Sequence, residues 1–329
     1  MKSVASSTGL TSINSIRNLE VPAIDRSQIR NPGLWAALLA NVLWGASFLA
    51  SKYTLVAWGP FTAASLRFAL ATLLMYFGLR LFRKELQLPQ TKKDWAWVLA
   101  IATSGFGFLY PLQLTGLQFI PSGLSAAIML TSPLFVVLAS HLFLKDLITK
   151  NKLIALGIGI VGGVFLLNAN GSLGKQAPSL VTGSLLTLVA SLSLALSVIA
   201  TRKLSGRLDS GSLTFWSMGL GFVQLTIAAF IFEEEGLARI FKTATLNSWI
   251  ALFFLALVCS AFCFFIWNYA LAKAYPKEIA STMHIKTPTA VLIGALVAGE
   301  VISRELIIGT LIVMAGVWIS QQNKKVIRK

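Results

Sequence analysis

Ten apolar runs follow one another between residues 33 and 321, each close to the ~20 residues a helix needs to cross ~30 Å of hydrocarbon. No water is present at that depth to satisfy backbone N–H and C=O groups, so a run of this length has to form its own hydrogen bonds as a helix. The runs fall at about 33–55, 60–82, 95–119, 122–143, 152–168, 180–203, 210–232, 247–272, 277–298 and 305–321. The fold class read from them is an all-α integral membrane protein with ten transmembrane helices and the lipid bilayer as its first partner. Composition agrees: 56% of residues are hydrophobic and 12% charged, against about 25% charged in soluble domains.

The 28 Lys and Arg against 12 Asp and Glu give a net charge of +16. Nucleic acid is not the partner this implies, because the basic residues lie between apolar runs and form no patch interleaved with exposed aromatics. Membrane topology accounts for them. With the amino terminus inside, 21 of the 28 fall in cytoplasmic segments, as the positive-inside rule asks. The expectation is a multi-pass protein of the plasma (inner) membrane with both termini cytoplasmic. Residues 1–32 read as a flexible cytoplasmic tail with no apolar core of signal-peptide length. Glu20 and Asp25 weaken the alternative of an organellar transit segment. Residues 322–329 form a basic cytoplasmic carboxyl-terminal tail, and Glu233-Glu234-Glu235 reads as a solvated outer loop.

An internal repeat organises the helices. Trp44-Gly45-Ala46-Ser47-Phe48-Leu49-Ala50-Ser51-Lys52 aligns with Leu194-Ala195-Leu196-Ser197-Val198-Ile199-Ala200-Thr201-Arg202 at a shift of 150. At a shift of 155, Gln113 meets Asn268, Pro121 meets Pro276 and Pro133 meets Pro288. Asp146 then corresponds, with small slippage, to Glu300. The halves are 33–168 and 180–321, five helices each. An odd number of spans turns the second copy over relative to the first, the pseudo-symmetry on which alternating access is built.

Lys286 is the costliest residue in the chain. It lies about half-way along an apolar run from Ile279 to Ala298, and a lysine at that depth costs at least ~2.5 to 3.5 kcal/mol on insertion scales. Pro288, two residues on, removes one helical N–H and frees the carbonyl of His284. No Asp or Glu lies in the middle of any span, so Lys286 reads either as a counter-ion for a substrate or as a structural cation in search of a partner.

These residues resemble the drug/metabolite transporter superfamily, in particular its ten-helix EamA-type exporters and permeases. The resemblance is carried by Leu43-Trp44-Gly45-Ala46-Ser47-Phe48, by Leu66-Arg67-Phe68-Ala69-Leu70-Ala71, and by the paired blocks Thr131-Ser132-Pro133 to Lys145-Asp146 and Thr287-Pro288 to Gly299-Glu300. It implies one inverted-repeat domain with a central cavity, exporting small metabolites, often amino acids, without a nucleotide-driven motor. The family pattern is apolar before the second-half proline, whereas this chain has His284 and Lys286 there. Sugar-phosphate exchangers of the same superfamily use an adjacent Lys-Arg pair, where this chain has Lys286-Thr287.

The candidate substrate site comprises Lys286, Arg67, Gln113, Asn268, His284, Thr287, Thr131, Ser132, Tyr110, Trp44 and Trp267, with Pro111, Pro133 and Pro288 as hinges. Arg67 offers a bidentate fork for a carboxylate or phosphate. His284 projects about 200 degrees round the helix from Lys286. Gln113 and Asn268 hold equivalent places in the two halves, and Tyr110, Trp44 and Trp267 supply aromatic walls. Lys52 reads as a snorkelling residue, and Asp146 and Glu300 as acids bonding loop amides or basic neighbours such as Lys145 and Arg304. Gly159 and Gly163 have small-xxx-small spacing for a helix contact within the subunit or in a homodimer.

The function expected is secondary transport of small polar metabolites, amino acids or anions, by alternating access, with an organic-anion or sugar-phosphate exchanger as the alternative. Cofactors and metals are not expected, because Cys259 and Cys263, four apart, lack the further ligands a zinc site needs. An intramembrane enzyme would need a nucleophile with its base or paired carboxylates, and the chain has only two separated histidines. A channel or a purely structural membrane protein is the rival of another class.

Overall fold

The computed structural model describes residues 32–83, 85–168, 177–204, 206–233, 241–274, 279 and 281–322. The amino-terminal tail and nearly all of the carboxyl-terminal tail lie outside them. Ten helices follow in order among the described residues: α1 Pro32–Leu55, α2 Pro60–Leu81, α3 Lys92–Leu117, α4 Ser122–Leu144, α5 Lys150–Leu167, α6 Ala177–Leu204, α7 Ser210–Phe232, α8 Leu246–Lys273, α9 Met283–Ala298 and α10 Arg304–Gln321. Nine are long and apolar enough to cross a membrane, and α9 is the shorter one.

The two halves are five-helix repeats in inverted orientation, and the local chemistry repeats with them. Thr91 and Thr245 cap α3 and α8, and Thr149 and Ser303 cap α5 and α10, each accepting from an N–H in the first turn. Such a cap satisfies one of the four free amides at a helix start and is worth about 1 kcal/mol. At the ends of α4 and α9 the chain turns through a left-handed residue, Lys145 at φ 58° and Gly299 at φ 64°. The next amide reaches back six residues to the carbonyl, Asp146 N–H to Ser140 and Glu300 N–H to Gly294. All four pairs stand 154 residues apart.

Two irregularities are also shared. α3 is π-helical over Thr103–Phe108 and α8 over Phe254–Phe262. α4 breaks at Leu130–Thr131, between Ser122–Met129 and Ser132–Leu144, and α9 opens with a 3₁₀ turn, Met283–Ile285, ahead of Lys286–Ala298. Pro133 and Pro288 therefore sit in the first turn of the helical segment after each break, where a missing N–H has no partner to lose. Pro111 is buried just after the first π segment. Its missing N–H leaves the Gly107 carbonyl without an α-helical donor, which favours irregular backbone there.

Packing obeys the pseudo-two-fold. α2 packs on α7 and α5 on α10, across the axis, while α1 packs on α8 and α9 as α6 packs on α3 and α4. The α5–α10 contact, the most extensive, lets Gly162 approach Val313 and Gly309 lie against Leu166. Gly159 meets Leu134 and the backbone beside Gly316, but Gly163 faces open space. The helix contact therefore runs through Gly159 and Gly162 and leaves Gly163 out of the expected spacing.

Glu233 is a correction to the solvated-loop reading. Its carboxylate accepts from Phe61 N–H at 2.7 Å, Thr62 N–H at 3.0 Å and the Thr62 hydroxyl at 2.6 Å. α2 begins with Gly59-Pro60, which supplies no side-chain cap. Glu233 thus does for α2 what Asp209 does for its own helix α7, where it accepts from Gly211 and Ser212 N–H. Glu234 and Glu235 lie outside the described residues.

Candidate functional site

α1 carries Trp44 and Phe48 four residues apart, hence on one face. The Trp44 indole N–H donates to the Cys259 carbonyl at 2.9 Å, and the Cys259 thiol to the Leu43 carbonyl at 3.4 Å. A π segment misaligns carbonyls from their usual donors, which leaves them open to side chains and is common at functional sites. The next residue, Ser260, accepts from Arg67 Nε at 3.1 Å. The π segment of α8 is thus gripped at adjacent residues by α1 and α2.

Arg67 is buried in the α2–α8 contact, its guanidinium 4.9 Å from the Tyr110 ring centre and 5.3 Å from that of Phe68. Tyr110 packs edge-on to Phe68 at 4.6 Å and touches the cluster that contains Phe48, Met129 and Ala290. Over Phe48 sits the Lys286 ammonium, 5.9 Å from the ring centre. Trp44 lies 5.2 Å from Trp267 and 6.5 Å from Phe264. One aromatic wall from α1, α2, α3 and α8 therefore connects the two cations. Gly45 is required on α1, because a Cβ there would lie 2.6 Å from the Lys286 carbonyl oxygen.

Neither cation has an acidic partner among the described residues. The ion pairs among the described residues are Lys52–Glu300, Arg202–Asp146 and Arg207–Asp94, all at helix ends. No group of three or more His, Cys, Asp or Glu among the described residues has the geometry of a metal site, and Cys259 and Cys263 are free and buried.

The structure separates the other sequence candidates. Thr131 donates to the Ile128 carbonyl at 2.7 Å and shares a hydrogen bond with Ser191 at 3.0 Å, and Thr287 donates to the Ala126 carbonyl at 3.2 Å. Thr131 ties the break in α4 to α6, and Thr287, next to Lys286, ties the start of α9 to α4. His284 is not brought to Lys286. Its ring lies beside Gln321 near the end of α10. Gln113 and Ser132 are half-buried. The Asn268 side chain lies outside the described residues. Pro288 is exposed and Pro133 half-buried.

Sequence reasoning missed Phe48, Ser260 and Phe264, since apolar and hydroxyl residues within apolar helices carry no signal of their own. It also missed the role of Lys52, whose ammonium reaches Glu300 at 3.1 Å. Glu300 accepts as well from Ser122 N–H at 2.8 Å, the Ser122 hydroxyl at 2.8 Å and Gly123 N–H at 3.2 Å. Lys52 is a paired residue and not a snorkelling one, and the partners of Glu300 are α1 and the start of α4 and not Lys145 or Arg304. Asp146 meets Arg202. Burial pushes the Glu300 carboxyl up, yet the donors of Ser122 and Gly123 and the Lys52 ammonium together hold it below the usual carboxylate range.

Comparison with known proteins supplies the family. The model of the EamA-like transporter family matches residues 31–168 and again 181–321. Among relatives, the uncharacterized transporter YoaV of Bacillus subtilis is 25% identical over 284 residues, 85% of this chain and 93% of that protein. A probable amino-acid metabolite efflux pump of Salmonella typhimurium is 25% identical over 288 residues, 86% and 93% of the two chains. The uncharacterized inner membrane transporter YedA of Escherichia coli K12 is 28% identical over 276 residues, 82% and 85%. A crystal structure of another protein superposes with TM-score 0.63 at 16% identity over 89% of this chain and 98% of that one, which shows the fold alone. With one copy of the family model on each five-helix half, this multi-pass membrane protein belongs to the EamA-like transporter family, within the drug/metabolite transporter superfamily, and is a transporter and not an enzyme.

Proposed function

We propose that the chain carries small metabolites with a carboxylate or phosphate group, amino acids among them, by alternating access of its two repeats, 33–168 and 180–321, around Arg67 and Lys286. The observation that carries this reading is a mismatch of magnitudes. Lys286 has no acidic partner among the described residues and has the face of Phe48 beside it. A cation over an aromatic ring gains about 0.5 to 2 kcal/mol, whereas a lysine at membrane depth costs at least ~2.5 to 3.5 kcal/mol. An anionic group brought against the ammonium makes up the difference.

Arg67 adds a second positive group. Its Nε donates to Ser260, and its two terminal nitrogens are the pair a bidentate acceptor would take. An amino acid also carries an ammonium, for which the rings of Trp44, Trp267 and Phe264 provide electron-rich faces. The Salmonella relative named as a probable amino-acid metabolite efflux pump supports both the substrate class and the outward direction. The bias of Lys and Arg supports cytoplasmic termini in the inner membrane.

Counterflow in proteoliposomes tests the reading, with glutamate, alanine, a dicarboxylate, a sugar phosphate and an uncharged sugar as labelled solutes. The expected result is saturable flux of one anionic or zwitterionic class. Lys286→Ala should cut that flux roughly 10- to 100-fold, the worth of a charge-assisted hydrogen bond of ~1.5 to 3 kcal/mol. Equal losses for charged and uncharged solutes would remove the electrostatic argument.

A further inference from the structure

The Lys52–Glu300 and Arg202–Asp146 ion pairs occupy equivalent places in the inverted repeats and therefore lie at opposite faces of the membrane. Lys52 and Arg202 end α1 and α6, 150 residues apart, and Asp146 and Glu300 follow the left-handed caps of α4 and α9, 154 apart. The two corners are built alike and sit in different states. At one, Lys52 lies 3.1 Å from Glu300, the Glu300 side chain is 12% exposed, and its oxygens also take both the first amides of α4 and the Ser122 hydroxyl. At the other, Arg202 and Asp146 are 3.8 Å apart, beyond hydrogen-bond reach, and Asp146 is 46% exposed. Arg202 bonds there only weakly, to the Ser140 hydroxyl at 3.4 Å.

We infer that the two pairs are alternating latches, one closed when the other is open, and that this structure is closed at the Glu300 face. Glu300 joins three elements of the two repeats: the end of α1 through Lys52, the start of α4 through Ser122 and Gly123, and its own α9. Its negative charge also meets the positive end of α4. An acceptor shared by three helix ends cannot stay satisfied if α1 moves away from α4 and α9, so opening that face means giving up the Lys52 bond. The mate corner has the Arg202–Asp146 pair in the place of Lys52–Glu300, and its closed form brings that pair within hydrogen-bond reach. The latch assignment rests on the alternating-access reading but not on the substrate.

Ser125, one turn inside Ser122 on α4, is fully buried and its hydroxyl has no hydrogen-bond partner among the described residues. A thiol placed there by Ser125→Cys reports on access past the Glu300 corner. A cationic, membrane-impermeant methanethiosulfonate is applied to intact cells and to inside-out vesicles, and modification at position 125 is followed by mass spectrometry, so Cys259 and Cys263 stay in place. In the Ser125→Cys parent, labelling from the Glu300 face should be slow. Lys52→Gln should raise it about three- to tenfold, as loss of one charge-assisted bond in a two-state balance implies, and Lys52→Arg should return it to the parent rate. Arg202→Gln, which weakens the opposite latch, should not raise it. Equal rates in parent and Lys52→Gln, or an equal rise with Arg202→Gln, would overturn the latch. Fast labelling of the parent from both faces at once would overturn alternating access itself, and the latch with it.

Discussion

The first and second repeats share a backbone down to single hydrogen bonds, yet differ at the positions that carry charge. Arg67 on α2 has Ser217 as its mate on α7, and Lys286 on α9 has Thr131 on α4. The frame is indifferent to the exchange: the breaks, the π segments and the caps recur on both sides. One repeat thus contributes a cation where the other contributes a hydroxyl, and the hydroxyl of Thr131 is spent on Ile128 and Ser191. On the alternating-access reading proposed above, pseudo-symmetry supplies two ways for the bundle to open, and its violation supplies the chemistry inside. The carboxylate caps teach the same lesson, since α7 is capped by its own Asp209 and α2 by Glu233, the residue that ends α7. What the geometry preserves is a negative group at the amide end, whichever residue provides it.

Three experiments press on this comparison, beginning with the largest effect. Arg67→Met should lower flux of the anionic solute roughly tenfold, since an Arg fork on a carboxylate is worth more than 1.4 kcal/mol. Ser217→Ala should change flux and melting temperature little, because the Ser217 hydroxyl is buried without a hydrogen-bond partner among the described residues. Comparable losses in both variants would mean that the mates share one task. Counterflow with each variant, alongside its melting temperature in detergent, gives the reading.

Next in size are the two left-handed caps. Gly299→Ala places a Cβ in open space but in a backbone conformation that disfavours it, and should cost about 1 kcal/mol. Lys145→Gly relieves the same strain in the mate and should gain about 0.5 to 1 kcal/mol. Denaturation midpoints compared between the pair test whether the equivalent turns carry equal backbone strain. Changes of the same sign would show that they do not.

The smallest effect is in pH. The folded-state pKa of Glu300 lies below its unfolded value, so the unfolded chain binds the proton more readily in acid. The stabilisation is present in full above the unfolded pKa, near 4.3 for a glutamate, and is lost as pH falls through the lower folded value. The melting temperature of the wild type should therefore fall more steeply below about pH 4 than that of Glu300→Gln. Parallel curves would sever Glu300 from the stability of its corner.

Spans, inversion and the two costly cations were legible in the amino-acid sequence. Each follows from local quantities: run length against bilayer thickness, periodic matching of small residues and prolines, and the expense of an ammonium in hydrocarbon. The candidate site was legible only in part. Arg67, Tyr110, Trp44 and Trp267 join the Lys286 wall, whereas His284 lies with Gln321. Phe48 became visible only as the ring beneath a cation.

The sequence by itself determined how many helices there are, that the second half is inverted relative to the first, and that Arg67 and Lys286 are cations set within apolar spans. Only the tertiary structure decided which groups meet: Lys52 with Glu300 across 248 residues, Glu233 with α2 across 172, and Trp44 with a π-helical carbonyl across 215. The reason is physical. Hydropathy and helix geometry act within a single turn or span, but a loop carboxylate faces several possible donors, and helix packing selects the one it reaches.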